Sequence, residues 1–489
     1  MRSPLAMPGC LACAAAACVA ATAFSAPAAS ADDTWRLPAP NACQPDPSSE
    51  TALIDAPPFP FKTGDVIGAE QLSLLREFIP SLLWENRDQF FFEGMRLEVG
   101  ACFADYSPPA FFAEATEKFA GQAKLLPNGG IENYTAGLPF PPSMIDRGDA
   151  LAGLRWAWNY EHRYQGAGFE ADFRVSDIVG AYGRAEPFIG HIYKAQIAYR
   201  ADRASQGYRA KGKKSIWWVA GGKMTEPFNA RGHAWRQFRD VESATNEGRT
   251  DDLHAYLAAA RRVRRMSAAY VEGLYLPSFS VGVSTIGGFA DGADAGGAAS
   301  SRPDAVTPKR SGWEGLEIRP LRADWKVIGV QDVLTPINST NPMYPQEKGR
   351  DFGVWGVSFA SDRWDLRRAV VLEAKYKAPD EERERLARTV MHFDVQTLAP
   401  LYYQSWDKRG ETVDVGMYVG RFSEDRDDYA RWPDDDERAV RVIDPVGAAF
   451  ANVSERAGWR RESWNAASTP SSSKDERNKI SVQGLTKGH

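Results

Sequence analysis

The feature that most constrains this chain is a series of short segments rich in Val, Ile, Tyr and Trp: His191–Arg200, Lys214–Ala220, Arg368–Lys377, Thr389–Asp394, Leu401–Ser405 and Thr412–Arg421. Several alternate, and Val413, Val415, Met417 and Val419 share one face of an extended strand. The turns between neighbours, Asp394–Pro400 and Asp407-Lys408-Arg409-Gly410, are too short for a helical crossover. The segments therefore pair as antiparallel hairpins rather than as βαβ units. The 15 Trp, 24 Phe and 17 Tyr suit such a sheet, because aromatic side chains fit its pleated, half-buried surface.

Helical signals are few. Leu72, Leu75, Ile79 and Leu82 form an apolar stripe with Glu70 in the first turn and Pro80 as a bend. A second helix follows Asp146 or Asp149 as N-cap, with Leu151, Leu154 and Trp158 on one face. Between them, Gly137-Leu138-Pro139-Phe140-Pro141-Pro142 reads as an ordered turn. Residues 32–66 are Pro- and Ala-rich and read as extended surface coil, Gly287–Ser311 as a mobile loop, and the polar residues 461–489 as a disordered tail.

The first 31 residues read as a secretory signal peptide. Arg2 precedes the apolar, Ala-rich stretch Leu11–Phe24, and Ala29-Ser30-Ala31 is a small-x-small cleavage site. A lipid anchor is not supported, since Cys18 lies inside the apolar run with no large aliphatic residue before it in the expected box. Export to the periplasm leaves Cys43 and Cys102. They read as one disulfide closing a loop of about 60 residues, contributing roughly 4 kcal/mol in the chain-entropy view, with two unpaired thiols as the alternative.

Composition and motifs narrow the function by exclusion. With 59 Lys+Arg against 64 Asp+Glu the chain carries a formal charge of −5, without the basic excess a nucleic-acid binder needs. No Gly-x-Ser-x-Gly elbow, phosphate loop or His-Glu-x-x-His helix occurs, and the Gly287–Gly292 run does not lead from a strand into a helix. The six His are scattered without ligand spacing. These observations predict no catalytic residue, no metal and no cofactor.

Four stretches carry a family likeness: Gly64-Asp65-Val66-Ile67, the block from Ala115-Thr116-Glu117-Lys118-Phe119 to Gly137-Leu138-Pro139-Phe140-Pro141, the pair Trp158-Asn159, and Asp251-Asp252 through Arg261-Arg262-Val263-Arg264-Arg265-Met266-Ser267. With Trp364–Lys375 and Asp394–Gly410 they resemble, over about residues 60–425, the bacterial periplasmic family called domain of unknown function 1329. The resemblance implies an α+β fold: a large, curved antiparallel sheet, a half-barrel like that of lipoprotein carriers, wrapped around and covered by a few helices. Residues 67–460 would form one large β-rich domain. Family members commonly sit beside RND-type exporters, which implies such an exporter or an outer-membrane protein as a partner. The likeness also overrules propensity at Asp251–Arg265, where Ala258-Ala259-Ala260 favours helix but the family pattern reads strand, turn, strand.

A half-barrel covered by two helices leaves an apolar concave surface, which predicts a cavity between the Trp158 helix and the sheet. Trp158, Trp217, Phe393 and Tyr402 are its expected lining, although aromatic residues of this kind mostly form core. Arg261, Arg262, Arg264 and Arg265 would stand near the rim and hold an anionic group, or would simply be a solvated strand face. Gly273–Ala290, with no charge, reads as an apolar flap or a covered edge strand. The function implied is a periplasmic binding or carrier protein for a lipid or other lipophilic molecule. The alternative is a non-catalytic interaction subunit of an envelope transport complex.

Overall fold

The computed structural model describes residues 35–486 except 45, 54–55, 179–186, 207–214, 229, 259, 269–272, 277–315, 348–349, 378–385, 427–431, 433–439, 453–457 and 471. The signal segment, the loop at Gly287–Ser311 and most of the flap at Gly273–Ala290 lie outside the described residues. The first strands are β1 (Val66–Ile67), β2 (Leu97–Cys102), and the separate pair β3 (Lys124–Leu125) and β4 (Ile131–Glu132). Then come β5 (Gly168–Ile178), β6 (Phe188–Gln196), β7 (Ile216–Glu226), β8 (Ala234–Asp240), β9 (Asp251–Leu257) and β10 (Arg262–Ala268). The remainder are β11 (Ala323–Thr335), β12 (Arg363–Tyr376), β13 (Leu386–Asp394), β14 (Pro400–Asp407), β15 (Thr412–Phe422), β16 (Ile443–Asn452) and β17 (Gly458–Ser468). The α-helices are short: α1 (Ser81–Glu85), α2 (Arg87–Phe90), α3 (Ala110–Phe119), α4 (Ala152–Glu161) and α5 (Ser473–Lys479).

One large, unclosed sheet runs β1-β2-β12-β13-β14-β15-β16-β17-β5-β6-β7-β8-β9-β10, with β11 on β12 outside that path. Neighbours are antiparallel, as the short turns require, except that β2 runs parallel to β12. Both faces are covered in the middle of the sheet. On β15, Val415, Met417 and Val419 turn to a core with Phe59, Phe61 and Phe78, while Tyr418 turns to the opposite core with Trp156 and Phe173. On β16, Ala449 and Ala451 join the first core, and Ala448 and Phe450 the second. The strict alternation of side chains thus sorts one strand between two apolar layers. Each fully buried large apolar side chain contributes about 1.5–3 kcal/mol, and Trp156, Trp158, Trp217, Trp218, Trp235, Trp364 and Trp464 are all in this class.

The helices differ from expectation in informative ways. The Leu72–Leu82 stripe becomes a ten-residue 3-10 helix, Ala69–Phe78, followed by α1, with Pro80 breaking the two. Leu151, just before α4, is exposed, and Trp156 through Glu161 are all buried. This helix lies inside the curved sheet and is covered on most of its circumference, so a single apolar stripe does not describe it. Its N-cap is Leu151, and Asp149 accepts a 2.8 Å hydrogen bond from the Leu151 N–H, two positions before the first N–H that a capping side chain would take. Gly153 lets the helix press on β11: a Cβ there would stand 2.5 Å from the Trp325 carbonyl carbon.

Three segments correct the sequence reading. Residues 32–66 are not only surface coil, because Trp35, Phe59 and Phe61 are buried in the two cores, and a disulfide joins Cys43 to Cys102. The described residues of the stretch 461–489 are not a free tail. β17 pairs with β16 on one side and β5 on the other, so it is the strand that joins the two halves of the sheet. Its polar composition misled because the charges are paired: Arg461 donates to the Gly356 carbonyl at 2.8 Å, and Arg460 faces Glu462 at 3.8 Å. α5 then starts at an N-cap Ser472 with a capping box to Asp475. Asp251–Arg265 does form strand, turn and strand, with β9 and β10 antiparallel.

Candidate functional site

A cavity of about 330 Å³ opens under α3. Its walls are α3, the Leu138–Ser143 turn, the β13–β14 turn at Gln396–Pro400, the end of β15 at Tyr418–Gly420, and Arg441–Pro445 entering β16. Arg163, Gln165, Phe169 and Leu316 form its inner side. The lining is mainly apolar, with a few polar groups at the edges, the usual character of a small-molecule site.

Local sequence sets each wall. Pro109 is extended and caps α3, which buries Phe112 and Ala115 at i, i+3 spacing. Thr116 Oγ1 donates to the Phe112 carbonyl at 2.9 Å and accepts from the Leu138 N–H at 2.9 Å. Gly137 has φ +79°, and a Cβ there would meet the Thr116 backbone at 2.5 Å, so only glycine lets the Pro-rich turn lie against the helix. Asn159 of α4 holds the other side of that turn, accepting from the Phe140 N–H at 3.0 Å. The sequence blocks Ala115–Phe119, Gly137–Pro141 and Trp158-Asn159 are therefore one tertiary assembly.

The rim at Gln396–Pro400 rests on buried charge. Asp394 accepts from Arg367 Nε at 2.7 Å and Nη2 at 3.1 Å, and from the Thr397 N–H at 2.7 Å. Gln396 accepts from the Tyr106 N–H at 2.9 Å and donates to Asp105 at 2.7 Å. The Tyr106 hydroxyl donates to Asp365 and accepts from Asn338 at 3.0 Å. Burial pushes the Asp365 carboxyl up to about 6, against the Tyr106 hydrogen bond and the Arg367 charge. It drives the Tyr106 phenol far above its ordinary value as well.

A second buried network adjoins the inner wall. Arg163 donates to the Tyr160 carbonyl at 2.8 Å and to that of Leu316, and stands 3.9 Å from Glu317. Lys194 Nζ donates to Glu317 and, at 3.1 Å, to Gln165. Arg239 bridges Glu161 at 2.7 Å and Asp251 at 3.2 Å, and Arg319 reaches Asp251 at 2.6 Å. Burial and the Glu317 charge push the Glu161 carboxyl up to about 7. Burial would raise Glu317 too, but Lys194 and Arg163 hold it below the usual carboxylate range. These ion pairs fasten residues 316–319 within the concave side of the sheet.

The residues singled out in the sequence lie elsewhere. Trp158 and Trp217 enclose His162, with ring centroids 5.9 and 4.7 Å away, and Trp158 Nε1 donates to the Gly129 carbonyl at 2.9 Å. Phe393 stacks on Tyr160 at 4.0 Å. Tyr402 sits in the opposite core and donates its hydroxyl to the Leu334 carbonyl. These four are buried in the two cores and do not line the cavity under α3. Arg261, Arg262, Arg264 and Arg265 are exposed around the β9–β10 hairpin, away from the cavity lining, and Arg265 pairs with Asp252. The cations of the lining are Arg163 and Arg441, the latter 2.9 Å from both Glu424 oxygens. α3 was the missed element; Pro108-Pro109 followed by apolar Phe112 and Ala115 was its signal. Among the described residues no group of three or more His, Cys, Asp and Glu is placed to hold a metal ion.

A family model described as "Protein of unknown function (DUF1329)" matches residues 89–276 and 311–440. No curated protein matches. Among solved structures the chain is similar to a "putative outer membrane lipoprotein-sorting protein domain" from Vibrio parahaemolyticus, at 12% identity and TM-score 0.38, covering 69% of this chain and 100% of that one. A DUF1329 family protein from Desulfovibrio piger follows at 12% identity and TM-score 0.37, with 65% and 92% covered. The LolA superfamily protein NE2245 from Nitrosomonas europaea matches at 8% identity and TM-score 0.31, with 64% and 92% covered. Among the described residues no helix is long and apolar enough to cross a membrane.

Proposed function

Since the chain belongs to the DUF1329 family, whose description assigns no activity, we propose from the site itself that this is a binding or carrier protein for a lipophilic molecule. The observation that carries this reading is the apolar cavity of about 330 Å³ under α3. It lies at the lower end of the size range of small-molecule sites. At roughly 30 Å³ for a water-sized group it has room for about ten methylenes. Each buried CH₂ gains about 0.8 kcal/mol, so one acyl segment gives reversible binding, the strength a carrier needs. Holding and releasing such a molecule requires no catalytic residue. The reading of residues 1–31 as a leader supports work in the periplasm, where an RND-type exporter or an outer-membrane protein would supply or receive the cargo.

A fluorescent fatty-acyl probe tests this. The mature protein binds it saturably, and Ala113→Trp, on the exposed side of α3 at the cavity mouth, weakens binding at least about tenfold with the melting curve unchanged. No probe binding by folded protein, or equal binding by the variant, would refute the carrier reading in favour of a non-catalytic interaction subunit.

A further inference from the structure

The β7–β8 and β9–β10 turns stand side by side at one end of the sheet, since a Cβ placed on Gly232 would lie 3.4 Å from the Ala258 Cβ. The first turn is well tied: the Ala230 and Arg231 N–H groups bond the Pro227 carbonyl at 3.0 and 2.9 Å, and Ala230 and Pro227 are buried. From this fixed base Phe228 points outward and is 86% exposed, the most exposed large apolar side chain among the described residues. The two neighbouring hairpins carry exposed arginines: Arg231 on the same turn as Phe228, and Arg261, Arg262 and Arg264 on the β9–β10 hairpin. Glu226, at the end of β7, is the nearest exposed acid along the chain. The whole chain carries −5, so this concentration of positive charge runs against the overall balance.

We propose that this double turn is a membrane-docking patch, with Phe228 entering the boundary of a bilayer and the arginines meeting anionic lipid phosphates. A lone apolar side chain held out on an ordered turn loses little freedom when it is buried, and an aromatic ring suits the headgroup–acyl boundary. Arginine forks match phosphate geometry, and cations near an anionic surface add attraction that salt screens. A soluble acidic protein would satisfy the arginines but leave the bare phenylalanine unexplained, which favours a lipid surface. The proposal does not depend on the cavity, so either can fail alone.

Vesicle flotation with the full mature chain tests it, using 1:1 phosphatidylglycerol:phosphatidylcholine against phosphatidylcholine alone. The native protein floats with the anionic vesicles, stays behind with the neutral ones, and is released at about 0.5 M salt, where screening reaches a few ångström. Phe228→Ser, and separately Arg261→Gln with Arg262→Gln, each lower the bound fraction at least about tenfold. Phe228 and Arg261 are exposed turn positions and Arg262 is the exposed first residue of β10, and an unchanged melting curve certifies folding. Absence of native flotation, equal flotation with neutral vesicles, or native-like flotation of the folded variants overturns the proposal. Binding to polyglutamate that survives Phe228→Ser, without flotation, also overturns it and indicates an acidic protein partner.

Discussion

Asp394 connects the buried charges to the cavity rim. Its carboxylate neutralises Arg367, whose side chain is fully buried, and caps the turn that supplies Gln396 to Pro400. Removing one member of a buried pair leaves the other charge desolvated and alone, at a cost of about 3–5 kcal/mol. Asp394→Ala is therefore expected to lower the free energy of urea unfolding by that amount and to weaken acyl-probe binding, because the rim loses its anchor. A loss below about 1 kcal/mol would show that Arg367 finds another partner. Trp158 and Trp217 illustrate the opposite case, since they are large, aromatic and buried yet do nothing for the cavity.

Among the elements, β17 holds the sheet together. It carries Trp464 and Ala466 into the α4 core, and bonds β5 across the register Trp459↔Ile178 to Ser468↔Phe169. Without it, β5 and β16 would both present open edges, which invite intermolecular pairing. A chain ending at residue 457 is expected to aggregate or to lack a cooperative thermal transition, read by size-exclusion chromatography and circular dichroism. A monomeric truncated protein with the native melting curve would contradict the topology. α3 has a smaller part in stability, with Phe112 and Ala115 buried, but it is the cover that turns a sheet opening into a pocket.

The whole molecule balances opposed titrations. Asp365 and Asp444 are pushed up to about 6 by burial, so each binds its proton more tightly folded than unfolded. A carboxyl raised in this way contributes stability below its unfolded value, and that contribution is lost as pH rises through about 6. His162 and His392 act in the other direction. Burial keeps them neutral, His392 down to about 3, so the unfolded chain gains protons below about 6.5 and stability falls there. The net profile mixes both, and a single-site comparison separates them. Relative to the native protein, Asp365→Asn is expected to gain on the order of 1 kcal/mol of stability between pH 5 and pH 8, measured by urea unfolding. A difference that is constant across this range would remove the claim that Asp365 is protonated in the folded state at acid pH.

Local patterns were enough for much of the framework. Period-2 alternation and short turns gave antiparallel strands in β12 to β15 and the β13–β14 and β14–β15 turns, because side-chain direction and turn length are properties of a few consecutive residues. Two thiols sufficed to name the Cys43–Cys102 bond. The order of strands was not legible: β17 lies between β16 and β5 because a polar stretch can bury its arginines once distant Glu347 and the Gly356 carbonyl are brought to them. The cavity under α3 was not legible for the same reason. Aromatic residues mark where apolar surface is needed, but only packing decides what meets that surface, and Trp158 shares its core with Trp217, Leu316 and Ile318. What remains open is the space under α3, bounded by a proline turn, a helix and strand ends far apart in sequence, and such a space belongs to the tertiary structure alone.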